Sequence, residues 1–237
     1  MPIDQAALGN RLLRMLSPED FALLSPHMVP CQARQGTMLF ERNKKVDTVW
    51  FLDSGVGSII AVSREGQRVE SGLFGRDGFA PVALAMGSDQ SPYEGVIQLH
   101  DDCHNLPAEA FKEAIAASPT LHTLMLRYAQ ALSVQTAYTA LTNAVHPIDE
   151  RLARWILMCH DRMDGNELPL THDFLSIMLA VRRPSVTTAL HVLEGNRFIR
   201  SERGCVVVRD RAGLVQFAGD AYGPPEAEYE RLIGSLR

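Results

Sequence analysis

The residues with the clearest chemical potential lie together in one short segment. Positions 182–188 read Arg-Arg-Pro-Ser-Val-Thr-Thr and provide two guanidinium groups and three hydroxyl groups. An arginine can form two parallel hydrogen bonds with a guanine edge, and serine or threonine hydroxyls can reach bases or phosphates. The candidate DNA-contacting residues are therefore Thr171, Arg182, Arg183, Ser185, Thr187 and Thr188.

The surrounding segment, residues 170–199, has the spacing of two helices that cross at a tight turn. Thr171 is suited to cap a first helix, and Pro184 suits the first turn of a second. The small Ala180 falls in the turn, where it lets the helices approach closely. A short hairpin arm is expected around Val206. This pattern predicts a helix-turn-helix with an added arm, and the alternative is an ordinary solvated helical hairpin with a basic start.

The overall charge at first argues against a nucleic-acid partner. The 237 residues include 23 Lys and Arg against 28 Asp and Glu, a net charge of -5. Residues 182–211, however, contain seven arginines and three acids, so this segment carries +4 and the rest of the chain -9. A basic face on an acidic body is compatible with DNA binding.

The chain changes character along its length, which predicts more than one domain. Two short helical segments are expected over residues 4–26, followed by short β-type runs over residues 28–106 that suggest an antiparallel sandwich or barrel. A helix begins at Pro107, is interrupted at Ser118, and continues to His146. The last third is again helical, so the predicted fold class is α+β.

The helix before His146 spans about 39 Å and needs a partner for its apolar stripe. The stripe comprises Leu121, Leu124, Met125, Tyr128, Ala131 and Leu132, continued by Gln135, Tyr138, Thr142 and Val145. It packs either against its own domain or against a second copy. A dimer seam is favoured because Gln135, Thr139 and Thr142 make this side of the helix polar enough to be partly exposed to solvent.

The cysteines and histidines give no strong indication of a metal or cofactor. The four cysteines are Cys31, Cys103, Cys159 and Cys205, and their spacing contains no paired ligand motif, so they are expected to be reduced thiols. His100, Asp102 and His104 would share one face of a strand, where metal ligation is the alternative to a solvated strand end. The solvated end is favoured, and no metal or cofactor is predicted.

Catalysis and membrane insertion are also not expected. The sequence has no GxSxG motif and no phosphate-cradling loop of the GxxxxGK type. It has no leader-like N-terminal segment and no apolar run of about 18 residues. A cytoplasmic protein that is not an enzyme is predicted.

Over almost its full length the chain resembles the Crp/Fnr family of bacterial transcription regulators. The resemblance rests on the helix-turn-helix and on the preceding pattern Asp-Glu-Arg-Leu-Ala-Arg-Trp-Ile-Leu at residues 149–157. It implies a β-roll sensor (a jelly-roll-like double-stranded β-helix) at residues 1–118, a dimerisation helix at 119–146 and a winged helix-turn-helix at 147–237. A homodimer on near-palindromic double-stranded DNA, with RNA polymerase as a further partner, is then expected.

The recognition helix departs from the family's pattern. Family members begin this helix with a sequence like Ser-Arg-Glu-Thr-Val-Ser-Arg, to which Arg183, Ser185 and Val186 correspond. The departures are Arg182 for the serine, Pro184 for the glutamate and Thr188 for the second arginine. The resemblance therefore does not carry over the family's common half-site.

The sensor region departs further. Family members that bind cyclic nucleotides carry Gly-Glu and Arg-Ser/Thr-Ala motifs, and residues 75–94 contain neither. A cyclic phosphate would lack its guanidinium partner, so an effector, if one exists, is expected to be of another kind. The candidate effector-pocket residues are Arg76, Val82, Tyr93, Glu94 and Thr136. The alternatives are a cyclic-nucleotide-responsive regulator and a ligand-binding module that acts through protein contacts.

Overall fold

The computed structural model describes residues 3–99 and 101–236. Its helices are α1 Arg11–Arg14, α2 Pro18–Leu24, α3 Ala108–Ala117, α4 Pro119–Val145, α5 Ile148–His160, α6 His172–Met178, α7 Arg183–Gly195, α8 Arg211–Ala218 and α9 Pro224–Leu232. Its strands are β1 Val29–Ala33, β2 Met38–Phe40, β3 Thr48–Leu52, β4 Val56–Val62, β5 Arg68–Phe74, β6 Phe79–Ala80, β7 Glu94–Leu99, β8 Asp101–Pro107, β9 Glu167–Leu168, β10 Ile199–Glu202 and β11 Cys205–Val208. No described helix is both long and apolar enough to cross a membrane.

The N-terminal strands form two four-stranded antiparallel sheets. Their strand orders are β1-β8-β3-β6 and β2-β7-β4-β5. Phe51 and Phe79 from the first sheet share one apolar core with Phe40, Phe74 and Ile97 from the second. This arrangement confirms the predicted α+β class with an antiparallel β-roll. The helix breaks at Ser118 and before Ile148 lie at the limits expected for the domains, and the domain division itself stays a prediction.

Helix α4 buries its main stripe inside its own chain. Tyr128 is 1% exposed and its ring centroid lies 5.4 Å from that of Phe79. Farther along, Gln135 is buried and accepts a hydrogen bond of 2.6 Å from the backbone N–H of Leu73 on β5. The first part of the stripe, from Leu121 to Gln135, therefore packs within its own chain and is not available for a dimer seam, whereas Val145 at its end is 64% exposed.

Close packing at Tyr128 also explains one glycine. A Cβ atom on Gly78 would lie 1.8 Å from the Tyr128 ring. Any side chain at position 78 would therefore push α4 away from the roll.

Helix α9, which the sequence pattern does not predict, returns to the N-terminal half and packs on α4. Tyr229 and Leu236 are each 4% exposed and belong to the apolar core of the β-roll. The Tyr229 hydroxyl donates a 2.7 Å hydrogen bond to the carbonyl oxygen of Asp77. The C-terminal segment thus ties the two halves of the chain together.

A second apolar core joins the outer face of the β-roll to the C-terminal helices. The sheet contributes Val56, Ile60, Leu73, Val96 and Leu99, which share this core with helices α5, α6 and α7. At its polar part, the sulfur of Met178 on α6 lies 3.5 Å from Ser58 Oγ and 3.4 Å from Gln98 Nε2. The first helix of the helix-turn-helix therefore rests on the sheet of the same chain.

A buried ion pair crosses the same junction. Asp77, in the turn after β5, accepts hydrogen bonds from Arg162 Nε at 2.9 Å and Arg162 Nη2 at 2.6 Å. The two side chains are 2% and 3% exposed. The N–H of Gly75 and the carbonyl of Met158 supply further partners, so the pair is well hydrogen-bonded. Removal of either charge would leave the other buried and unpaired, at a cost of about 3 to 5 kcal/mol.

Glu70 on β5 is a third buried group at this junction. It accepts hydrogen bonds from Ser58 Oγ at 2.5 Å and Trp155 Nε1 at 2.8 Å. Burial raises the pKa of Glu70 to about 7, although these two donors and the charges of Arg154 and Arg162 act to lower it. Neutral pH therefore lies within its titration range.

Replacement of Glu70 by glutamine is expected to stabilise the protein above pH 7. The unfolded chain releases this proton near the usual pKa of 4.5, whereas the folded protein holds it until about pH 7. The contribution of Glu70 to stability therefore falls as the pH rises between these two values. In urea unfolding, Glu70→Gln should raise the free energy of unfolding little at about pH 4 and by about 3 kcal/mol at about pH 8.

Glu65→Gln, at an exposed position of the turn between β4 and β5, is the matched control. A gain from Glu70→Gln that is the same at every pH would contradict the assigned pKa.

Candidate nucleic-acid interface

The first helix of the motif, α6, begins where the sequence predicts. Thr171 is its N-cap, and its Oγ1 accepts a 3.2 Å hydrogen bond from the backbone N–H of Phe174. At the other end, the carbonyl of Leu179 accepts a 2.6 Å bond from Arg151 Nη2 on α5. Thr171 is exposed to solvent, and its hydroxyl already has a structural role as the cap of α6.

The turn between α6 and α7 depends on a small residue. Ala180 has φ +51°, a left-handed conformation that few non-glycine residues adopt. The N–H of Val181 donates a 3.0 Å hydrogen bond to the carbonyl of Ser176, which closes the turn. The chain then reaches Arg182, the N-cap residue of α7, and enters the helix through Pro184 in the first turn. The predicted helix-turn-helix is confirmed.

Helix α7 has one buried and one exposed face. Its buried residues are Val186, Ala189, Leu190 and Leu193. Arg182, Arg183 and Thr188 are exposed, whereas Ser185 and Thr187 are half-buried. The two arginines lie at the N-terminus of the helix, where the unpaired N–H groups and the helix dipole favour anionic partners.

The hydroxyl groups of α7 already form local hydrogen bonds. Thr188 Oγ1 donates to the carbonyl of Pro184 at 3.1 Å, and Thr187 Oγ1 donates to the carbonyl of Arg183 at 3.3 Å. Thr187 also lies 3.1 Å from the Nδ1 of His172, which joins α7 to α6. His172 is a supporting residue that sequence reasoning missed, since only the folded pair of helices brings it to Thr187.

A three-stranded sheet of order β10-β11-β9 forms the predicted arm. The N–H of Ser201 on β10 donates a 3.0 Å hydrogen bond to Glu194 Oε1 on α7, which fixes the arm against the helix. Gly204 has φ +75° and makes the turn between β10 and β11. Arg203 at this tip and Arg200 on β10 are exposed, and Arg200 forms an ion pair with Glu202.

One arginine of the basic segment faces inward. Arg211 Nη2 donates to Asp161 Oδ1 at 2.6 Å and to the hydroxyl of Tyr222 at 2.7 Å. Asp161 is buried, so this charge is balanced inside the domain. The positive charge available to a partner is therefore smaller than the sequence count of +4 indicates.

The candidate effector residues do not form one site. Val82 and Tyr93 line a cavity of about 240 Å³ together with Phe40, Ile59 and Met86. Arg76 lies elsewhere and donates to Asp164 Oδ1 at 2.9 Å. Glu94 pairs with Arg68 at 2.7 Å, and Thr136 on α4 donates to the carbonyl of Leu132.

Two of the three alternative metal ligands have other hydrogen-bond partners. His104 Nδ1 lies 2.6 Å from Asp53 Oδ2, and Asp102 accepts a hydrogen bond from Gln32. His100 lies outside the described residues. Across residues 3–99 and 101–236, no cluster of three or more His, Cys, Asp or Glu side chains has the arrangement of a metal site.

Comparison with known proteins agrees with this geometry. The family model of the Crp-like helix-turn-helix domain matches residues 150–217. No curated protein sequence matches the chain significantly.

Solved structures match over most of the chain. FixK2 from Bradyrhizobium japonicum has a TM-score of 0.68 at 12% identity, covering 80% of this chain and 96% of its own. A CRP-family transcriptional regulator from Thermus thermophilus has a TM-score of 0.63 at 16% identity, covering 80% of this chain and 96% of its own. The c-di-GMP responsive global regulator CLP from Xanthomonas campestris has a TM-score of 0.62 at 17% identity, covering 81% of this chain and 99% of its own.

The family match covers α5 to α8, which include the helix-turn-helix and its arm. The structural similarity extends this to the fold of the N-terminal sheets and the long helix α4. The chain therefore contains a Crp-like helix-turn-helix domain at residues 150–217, and as a whole it has the fold of solved regulators of the Crp/Fnr type.

Proposed function

We propose that the protein binds double-stranded DNA sequence-specifically as a homodimer, with helix α7 in the major groove. The observation that carries the proposal is the exposure of Arg182 and Arg183 at the start of a helix whose opposite face is buried. A helix of this kind presents its N-terminal side chains to base edges. Two such helices would read half-sites about 34 Å apart on a near-palindromic duplex.

Within this proposal, Arg183 and Ser185 contact bases or phosphates, and Thr188 adds an exposed hydroxyl. Thr187 and Thr171 are weaker candidates for a DNA contact. Thr187 contacts His172 and so joins α7 to α6, and Thr171 caps α6. Val186 is fully buried, so it supports the helix from the core. Pro184 has no side-chain hydrogen-bonding group, which supports a half-site different from the family's common one.

Arg183→Ala is expected to weaken binding to the preferred duplex by about 1 to 3 kcal/mol, because it removes a bidentate guanidinium. The duplex is first selected from a random pool by the wild-type protein, and Kd values are then measured on it and on a scrambled sequence. The loss should be large on the selected duplex and small on the scrambled one.

Arg183→Lys is the matched control, since it keeps the charge but not the planar fork of donors. Full affinity in this variant, or an equal loss on both duplexes in Arg183→Ala, would show that position 183 contacts phosphate only. If no duplex is selected and binding does not weaken with salt, the helix-turn-helix acts through protein contacts instead. RNA polymerase as a partner stays a prediction.

The homodimer is proposed on the face of α4 that its own chain leaves uncovered. Leu126, Leu141 and Val145 are 41%, 47% and 64% exposed. Together with the half-buried Val134 and exposed Ala137 they follow one side of the helix, away from the buried residues that pack on the β-roll. A parallel second helix would bury these side chains.

Leu141→Glu is expected to dissociate the dimer, because two carboxylates would face each other in the seam. Sedimentation velocity should give a monomer, and affinity for the selected duplex should fall at least roughly tenfold, because the two recognition helices no longer act together. Ala212→Glu, at an exposed position of α8, should leave both measurements unchanged. A Leu141→Glu dimer with normal affinity would place the seam elsewhere.

For the sensor, we propose an effector other than a cyclic nucleotide, if the β-roll binds one. The cavity that includes Val82 and Tyr93 has no cationic side chain in its lining. Arg76, the nearest candidate for a phosphate partner in the sequence, is paired with Asp164. A buried cyclic phosphate would therefore lack a charge-assisted hydrogen bond.

Cyclic AMP and cyclic GMP should accordingly leave the Kd for the selected duplex unchanged. A shift of tenfold or more with either nucleotide would support the cyclic-nucleotide-responsive alternative.

A further inference from the structure

Two cysteines that are far apart in the sequence are directly opposed in the β-roll. Strands β1 and β8 are antiparallel, and their register pairs Cys31 with Cys103. Residues in such a pair have Cα atoms about 4.5 to 5.5 Å apart and side chains on the same face of the sheet. Disulfides span Cα separations of about 4.4 to 6.8 Å, so the backbone already has the spacing of a disulfide.

The side chains are also directed toward each other's strands. Cys31 Sγ lies 3.2 Å from the carbonyl oxygen of Cys103, and Cys103 Sγ lies 3.3 Å from the carbonyl oxygen of Cys31. Both residues are reduced thiols in this structure. The contacts are reciprocal, so each sulfur atom lies beside the backbone of the opposite cysteine.

The two thiols differ in their access to solvent. Cys31 is partly exposed on β1, which lies at the edge of its sheet among the described strands, whereas Cys103 is 1% exposed. A small oxidant can therefore reach Cys31 first. The buried Cys103 then needs no access to solvent, because its target is the neighbouring sulfur.

We propose that Cys31 and Cys103 form a redox-responsive pair that closes to a disulfide on reaction with a low-molecular-weight disulfide. The Cys31 thiolate attacks one sulfur of the small disulfide, forms a mixed disulfide and releases one small thiolate. The Cys103 thiolate then attacks the Cys31 sulfur and releases the second small thiolate. The two protein thiols are oxidised by two electrons, the small disulfide is reduced to two thiols, and the released thiolates take up the two protons.

The other two cysteines serve as internal comparisons. Cys159 is buried in the second apolar core, on α5, and Cys205 is partly exposed on β11. Burial raises the pKa of both thiols, most strongly that of Cys159. We therefore expect oxidation to remove the thiols of Cys31 and Cys103 and to leave these two reduced.

The test treats the native, reduced protein with glutathione disulfide, alkylates the remaining thiols after denaturation, and identifies linked peptides by mass spectrometry without reduction. The wild type should contain one internal disulfide, between positions 31 and 103. The Cys159→Ser/Cys205→Ser double variant should give the same bond. Cys103→Ser should stop at glutathione bound to Cys31, and Cys31→Ser should keep Cys103 as a thiol.

A stable mixed disulfide on Cys31 in the wild type, a bond between other cysteines, or four intact thiols would overturn the proposal. As a second measurement, the oxidised wild type should unfold at a Tm higher by roughly 5 °C or more, because the bond closes a long loop between β1 and β8. Oxidant treatment of Cys31→Ser should not change its Tm. A lower Tm in the oxidised wild type would show that the bond strains the sheet and would also overturn the proposal.

Discussion

The ion pair between Asp77 and Arg162 is the constraint on which the arrangement of the two halves depends. Both charged side chains are buried away from water, and removal of either one would leave the other as an unpaired buried charge. Asp77 belongs to the turn after β5, whereas Arg162 follows α5 in the helix-turn-helix domain. Because the hydroxyl of Tyr229 also bonds to Asp77, one short turn fixes both the helix-turn-helix domain and the C-terminal helix.

At this junction the β-roll is connected to helix α7 through packed side chains. In addition to the continuous path through α4 and α5, the sheet contacts α6 at Met178, and α6 contacts α7 through His172. Strands β4, β5 and β7 are therefore linked to α7 by contacts between side chains as well as by the continuous chain before Ile148. The recognition helix is exposed on the other side of its own domain, so the same junction leaves its arginines accessible.

Local signals explain what the sequence predicts well. Caps and breaks are short-range features, and Ser118 and Thr171 each cap the helix that begins where the sequence predicts. Strand β8 has no clear alternation in the sequence, because its buried residues, Cys103 and Leu106, are three positions apart among polar neighbours. The face of α4 that meets the roll, the inward direction of Arg211 and the opposition of Cys31 and Cys103 all depend on long-range pairing. No local pattern encodes those contacts.

The return of α9 to the β-roll has a consequence for folding during synthesis. A nascent chain commonly completes its N-terminal domain before the rest has left the ribosome. Here Tyr229 and Leu236 belong to the core of the N-terminal sheets, so that core lacks part of its packing until the C-terminal segment emerges. The N-terminal sheets therefore reach their full packing only after the segment with Tyr229 and Leu236 docks on them.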